Sequence, residues 1–261
     1  MKKIALITSL SMAGALCLST TTLAATKTNG HSGDPALSPA QTKEIQQVVH
    51  DYLVNNPEVL VEASQALQQK EVAKMQSTAR DAIGKNAKAL FNDPVSPVIG
   101  NPNGNVTVVE FMDYQCGHCK EMSPIIEGII KQDPELRVVI KQLPIFGESS
   151  EFAAKAALAA QKQGKFAAFH QALMKATAPL SHDSVMAIAK SVGLNTEQLQ
   201  QDMKDDVFDQ QLKANMQLAQ TLGLVGTPAF IIGNRQNSKN AFMPGATSAQ
   251  NMQQLINQVR G

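Results

Sequence analysis

At 261 residues the chain has room for one large domain, or for one domain with an accessory segment. Its 23 Lys and Arg stand against 22 Asp and Glu, a near-balance that excludes a nucleic-acid partner held by bulk charge. Trp is absent and only 17% of residues are charged, whereas Gln, Ala and Met are plentiful, which suits a helix-rich soluble protein.

The chain opens with Lys2 and Lys3, then a mostly apolar and small run from Ile4 to Leu18, then Thr22-Leu23-Ala24 with small residues at both key cleavage positions. Residues 1–24 therefore read as a secretory signal peptide cut after Ala24, with a retained membrane anchor as the lesser reading. Leu16 stands where a small residue would precede a lipidated Cys17, which argues against a lipoprotein. Of the three cysteines, Cys17 leaves with the signal and the mature chain keeps Cys116 and Cys119. An exported protein stapled by disulfides would carry more pairs at longer separations, so this pair is chemistry rather than architecture.

Residues 25–37 are expected to form a flexible N-terminus. Ser38-Pro39 then supplies an N-cap and a proline at the first helical position, and Ile45, Val48, Val49, Tyr52 and Leu53 follow at helical spacing. Asn55-Asn56-Pro57 interrupts, after which Val59, Leu60, Ala63, Leu67, Val72, Met75, Ala79 and Ile83 carry an apolar stripe toward Leu90. Two such helices cannot bury their stripes on each other alone, so they pack either on the downstream domain or on another copy of the chain. Leu53, Leu60 and Leu67, seven apart, favour the second, and residues 38–92 are expected to mediate a homo-oligomer, with a dimer preferred. The Pro- and Gly-rich stretch 93–105 reads as a linker.

From residue 106 the pattern is mixed α/β. Val106 to Met112 reads as a strand, Cys116 to Lys131 as a helix kinked at Pro124, and Leu136 to Leu143 as a second, parallel strand. Residues from about 150 to 222 are helical, with breaks at Gly164, Pro179-Leu180-Ser181 and Gly193-Leu194-Asn195. Gly226-Thr227-Pro228 introduces a third strand, Ala229 to Ile232. Phe242 to Gly245 is a turn or short edge, and Ser248 to Val259 a closing helix.

The chemistry concentrates in Cys116-Gly117-His118-Cys119, at the junction between the first strand and its helix. Two thiols at that spacing can close into a small ring and reopen. Free backbone amides and the positive end of the helix dipole both favour a thiolate on Cys116. A structural zinc site would need two further Cys or His ligands at matching spacing, and His50, His170 and His182 offer none.

Glu110 six residues before the first Cys, the Cys-Gly-His-Cys tetrapeptide, Val225-Gly226-Thr227-Pro228-Ala229 and the helical insertion between them together resemble the DsbA-like branch of the thioredoxin superfamily, over about residues 98–259. The resemblance implies an α/β thioredoxin fold with a helical insertion, here preceded by an α-helical oligomerisation segment. It implies Cys116 as the exposed nucleophile and Cys119 as the shielded resolving thiol, joined in the oxidised state by a Cys116–Cys119 disulfide. It further implies Glu110 as a buried proton acceptor, His118 as a neighbour that favours the thiolate, and Thr227-Pro228 as a cis-proline loop that presents backbone to an extended substrate. Gly117 leaves the sulfur without a side chain over it.

Three departures from strict DsbA stand out. Gly-His replaces Pro-His, Met112 stands where an aromatic is common, and a helical segment precedes the thioredoxin strand. Thr before the proline is similar to isomerase and reductase members more than to the oxidase. The expected function is that of an exported, periplasmic thiol–disulfide oxidoreductase that forms or isomerises disulfides in unfolded or misoxidised exported proteins. It is expected to need no cofactor or resident metal and to be re-poised by a membrane redox partner. The alternative is a Cu(I)-binding or metal-resistance thiol protein on the same scaffold, with Met112 and Met122 near the thiols.

Overall fold

The computed structural model describes residues 37–234, 236 and 239–260, and in the long second helix the side chains other than those at 72, 73, 75 and 76. The expected signal peptide, the flexible N-terminus up to residue 36 and the side chains of Val72 and Met75 lie outside that description.

The chain divides into two compact units between Val61 and Glu62. In the first, helix α1 (Pro39–Asn55) starts where the sequence places its cap: the Ser38 hydroxyl accepts the Gln41 amide, and the Gln41 side chain accepts the Ser38 amide in return. No residue of α1 is buried, and Ile45, Val48, Val49 and Tyr52 stand exposed. Helix α2 (Glu58–Lys85) begins directly after Pro57.

The second unit is built on a five-stranded mixed sheet. Strands β1 (Val98–Gly100), β2 (Val106–Met112), β3 (Leu136–Gln142), β4 (Ala229–Asn234) and β5 (Asn240–Pro244) lie in the order β1-β3-β2-β4-β5. β2 and β3 run parallel, and every other pairing is antiparallel. The β2–β3 crossover is helix α4 (Gly117–Gln132), with the five-residue helix α3 (Ala87–Phe91) lying before β1. Between β3 and β4 lie α5 (Glu148–Ala159), a 3-10 turn (Ala160–Gln163), α6 (Phe166–Lys175), α7 (His182–Ser191), α8 (Thr196–Asp202) and α9 (Asp206–Thr221), and α10 (Ala249–Arg260) closes the chain. The punctuation is that of the sequence: Gly164 ends the 3-10 turn in the left-handed region, Ser181 caps α7 and Asn195 caps α8.

Period-two alternation assigns the faces of the sheet. Val106, Val108 and Met112 of β2, with Leu136, Val138 and Ile140 of β3, join the core that also holds Met122, Ile126 and Ile129 of α4. Val109 and Phe111 face the opposite core with Val139, Ile231, Leu90, Phe91 and Ile83. Every residue of β2 is buried, because helices cover both sides of this central strand. Glu110 shares the parity of Val108 and Met112, so the fold carries its carboxyl beneath α4.

Two boundaries differ from the sequence reading. The helical segment 38–92 is not given over to self-association throughout: Ile83, Leu90 and Phe91 are buried in the second core, and Phe91 seats on Gly233, where a Cβ would come within 2.5 Å of the ring. The stretch 93–105 is no free linker. Val98–Gly100 pairs with β3, the Pro97 carbonyl accepts the Ile140 amide, and the Phe91 carbonyl accepts from the Arg137 guanidinium. Lys141 explains the tether. It is the next-to-last residue of β3, with a side chain only 2% exposed, and its ammonium reaches Asp93 at 2.6 Å. A cation in that position requires a partner, and the strap supplies one.

Replacing Asp93 with Ala strands that ammonium, and urea unfolding should show a loss of about 2–4 kcal/mol. A loss below about 1 kcal/mol would contradict the assigned role of the pair.

Candidate active site

Three residues between β2 and α4 fasten the active-site turn to three different elements. Asp113 is buried, and its carboxylate accepts four hydrogen bonds: from the amides of Gln115 (2.7 Å), Ile145 (2.8 Å) and Phe146 (3.2 Å) and from the Ser150 hydroxyl (2.7 Å). Tyr114 is also buried. Its hydroxyl accepts from Gln142 Nε2 at 3.0 Å and lies 2.9 Å from Nδ1 of His170, whose ring stacks on Phe166. The Gln115 side chain accepts the Leu180 amide, and Lys120 donates to the Ala176 carbonyl at 2.7 Å, so the helical insertion is tied to the same turn.

Cys116 sits at the N-cap of α4, and its amide donates to the Asp113 carbonyl. Its side chain makes no cap. The thiol donates instead to the Thr227 carbonyl, 3.2 Å away. Helix periodicity turns Cys119 to the buried stripe with Met122, Ser123, Ile126 and Ile129, where it is fully buried; Cys116, expected to be exposed, is itself buried at 4% exposure because its sulfur turns to the Thr227 loop. Both cysteines are free thiols. Burial pushes the Cys119 thiol well above its usual range, with the Glu110 charge and the neighbouring Cys116 adding to the effect and a hydrogen bond from the Asp113 backbone opposing it.

Glu110 is 3% exposed, and its Oε1 is buried without a hydrogen-bond partner. Burial pushes its carboxyl up to about 8. Burial holds His170 down at about 4, so its imidazole is neutral near pH 7. The Thr227–Pro228 peptide is cis, the Thr227 hydroxyl is buried without a partner, and Val225 just before it is 99% exposed.

The structure thus brings Cys116, Cys119, Glu110, Thr227 and Pro228 to one end of β2 and β4. His118 is placed differently from the sequence reading: its side chain is 72% exposed and its Nδ1 lies 2.9 Å from the Glu121 carboxylate, one turn along the helix. Gly117 does not answer a steric demand of the backbone, since a Cβ there would meet nothing within 4 Å. Its effect is to leave the approach to the sulfur open. Sequence reasoning missed Asp113, Tyr114, Gln142 and His170. An acid directly after a seven-residue buried strand was the one available signal, because such a carboxylate needs several donors folded around it.

Comparison with known proteins agrees with this geometry. Residues 107–257 match the DSBA-like thioredoxin domain family, and residues 41–74 match the copper resistance protein ScsC N-terminal domain. A thioredoxin-like oxidoreductase from Silicibacter pomeroyi is 44% identical, with a TM-score of 0.63 over 66% of this chain and 96% of its own. ScsC of Proteus mirabilis, in a transitional conformation, is 36% identical, with a TM-score of 0.62 over 87% of this chain and 99% of its own. Among curated relatives, the Na(+)/H(+) antiporter NhaA 3 of Salinispora tropica is 26% identical over 174 residues, of which the chain spans 27% of the relative's length. The strand–Cys-x-x-Cys–helix junction, the Thr-Pro loop opposite it and the helical insertion account for these likenesses, and the chain belongs to the DsbA-like thioredoxin-domain family of thiol–disulfide oxidoreductases.

Proposed function

We propose that the protein is an exported, periplasmic oxidoreductase that forms and isomerises disulfide bonds in unfolded or misoxidised substrate proteins through Cys116 and Cys119. The observation that carries this reading is the asymmetry of the two sulfurs: Cys116 meets the Thr227 carbonyl at the start of α4, and Cys119 is shut behind it. The Cys116 thiolate attacks one sulfur of a substrate disulfide. A new S–S bond forms, the old one breaks, and the substrate's other sulfur leaves as a thiolate. That thiolate can attack a different disulfide in the substrate, and a substrate thiolate finally displaces Cys116, so isomerisation needs no net electrons. Alternatively Cys119 attacks the Cys116 sulfur, which releases a reduced substrate and leaves the Cys116–Cys119 disulfide. Run backwards, the same steps oxidise a substrate dithiol, and a membrane redox partner resets the pair. Glu110 is the acid placed to take the Cys119 proton in resolution. Thr227 and Pro228 offer backbone to the substrate, and Gly117 keeps the approach clear. Cys119→Ser should trap a mixed disulfide on Cys116 that mass spectrometry detects, whereas Cys116→Ala should trap none. Equal adducts in both variants would remove the assigned roles.

Glu110 also makes a pH signature. Its folded pKa lies above the unfolded value of 4.5, so stability from the protonated form is full below 4.5 and is lost as pH rises through about 8. His170 has the opposite sign and acts between about 4 and 6.5, so a comparison of pH 6.5 with pH 8.5 isolates Glu110. The urea midpoint should fall across that interval in the wild type and fall much less in Glu110→Gln. Parallel declines would show that Glu110 does not titrate there.

The exposed apolar residues of α1 and the match of residues 41–74 to the ScsC N-terminal domain support self-association through the N-terminal helices, with a dimer preferred. Because Ile83, Leu90 and Phe91 belong to the second core, a clean deletion ends at Val61 rather than at residue 92. Removal of residues 25–61 should give a monomer that keeps dithiol oxidation and loses isomerase activity. A full-length protein that is already monomeric by light scattering would end this part of the proposal.

A second reading, Cu(I) binding by the thiol pair, draws on the copper-resistance name of the matched N-terminal domain. Met122 is poorly disposed to help, being buried with its sulfur accepting the Thr247 amide at 3.3 Å. Refolding of scrambled ribonuclease separates the readings: no recovery of activity, together with Cu(I) binding lost in Cys116→Ala, would favour copper.

A further inference from the structure

At the far end of β2 from the dithiol, the end of α3, the turn 101–104 and the starts of β2 and β3 enclose a cavity of about 170 Å³. Arg137 is its one charged lining residue, and Asn92, Asn103, Thr107 and Asn234 add polar groups. Gly104 packs the turn hard against the start of β3: a Cβ there would come within 2.4 Å of the Glu135 carbonyl oxygen. The Gly104 amide closes the turn onto the Asn101 carbonyl, so this wall is set before any ligand arrives. Thr107 lies five residues before Met112 in β2, roughly 17 Å along the strand, and nothing of this size bound here touches either sulfur.

Two observations say what would fit. First, Arg137 has no counter-ion. On the same face of β3, Lys141 is paired with Asp93, whereas the guanidinium of Arg137 makes a single hydrogen bond, to the Phe91 carbonyl at 2.7 Å. The rest of its fork has no partner among the described residues. Burial lowers its pKa, but a guanidinium still keeps its proton at neutral pH, so the lining carries a positive charge and no negative one. A neutral molecule would leave that charge uncompensated, and a cation would oppose it. Second, Thr107 is only 6% exposed, yet its hydroxyl has no hydrogen-bond partner among the described residues. The side-chain amides of Asn92 and Asn103 are unpaired in the same sense. These donors come from β2, β3, the end of α3 and the turn before β2, on several sides of a small space. A tetrahedral anion presents oxygens in four directions, whereas a carboxylate presents two side by side. The volume falls below the range of about 300 to 1,000 Å³ usual for organic ligands, which admits a free anion without an ester tail.

We propose that this cavity binds a free tetrahedral oxyanion of the phosphate or sulfate class, with the Arg137 guanidinium donating to two of its oxygens and the Thr107 hydroxyl and the Asn92 and Asn103 amides donating to the others. The site stands independently of the dithiol chemistry, because binding is read without turnover.

Sodium phosphate and sodium sulfate, titrated into the full-length protein at an ionic strength held constant with sodium chloride, test the assignment by backbone amide NMR. The amides of Asn103, Gly104, Thr107 and Arg137 should shift and saturate at millimolar anion. Acetate and phenyl phosphate should each bind at least fivefold more weakly. Asn103→Asp, at an exposed position on the turn, sets a negative charge on the lining and should weaken binding at least tenfold. Arg137→Gln, which removes the positive charge, should do the same, and Arg137→Lys, which keeps the charge without the fork, should fall between it and the wild type. Lys213→Gln, at an exposed lysine outside the cavity, should change nothing. Acetate or phenyl phosphate binding as well as phosphate, shifts that follow the exposed lysines and do not saturate, or full binding by Asn103→Asp would each overturn the assignment.

Discussion

The position of both sulfurs rests on the buried carboxylate of Asp113. A carboxylate withdrawn from water is tolerated only where donors replace its hydration, and Asp113 collects four of them from the active-site turn, the loop after β3 and the first turn of α5. Its own carbonyl then receives the Cys116 amide. One acid therefore joins the end of β2, the start of α4 and the entry to the helical insertion. Tyr114 and Gln115, the next two residues, extend the same tie to α6 and to the segment before α7.

From that anchored turn the division of labour between the thiols follows by helix geometry alone. The N-cap position leaves Cys116 facing the Thr227 carbonyl with 4% exposure, and three residues on the helix has carried Cys119 fully into the core. Strand parity does the corresponding work for Glu110, which must lie on the α4 face of the most deeply buried strand. Desolvation of both groups then raises the pKa of each, and the Glu110 charge raises that of Cys119 further.

The parts of the fold legible in the sequence were those written in local pattern. The apolar run of β2, the α4 stripe, the capping serines at 38 and 181 and the left-handed Gly164 each show within a few residues. What stayed hidden depends on partners far along the chain. Asp113 meets Ser150 across 37 positions, Asp93 meets Lys141 across 48 and Tyr114 meets His170 across 56, and nothing local in either member announces the other. β1 escaped notice because three residues between prolines are too few to show a period, and its strand character comes from pairing with β3. His118 is the converse case. Its place inside the Cys-x-x-Cys suggested the sulfurs as company, while the equally visible i,i+3 spacing to Glu121 decided its position.

The fold and the family describe a scaffold for reversible thiol chemistry, and the poise of the pair determines whether that chemistry is realised. Equilibration of the purified protein in graded glutathione buffers, with alkylation and mass spectrometry to count free thiols, measures it directly. The account predicts that Cys116 and Cys119 titrate together as one two-electron couple with a midpoint between about −270 and −120 mV. A midpoint below about −300 mV, as in structural disulfides, or thiols that never pair, would contradict it.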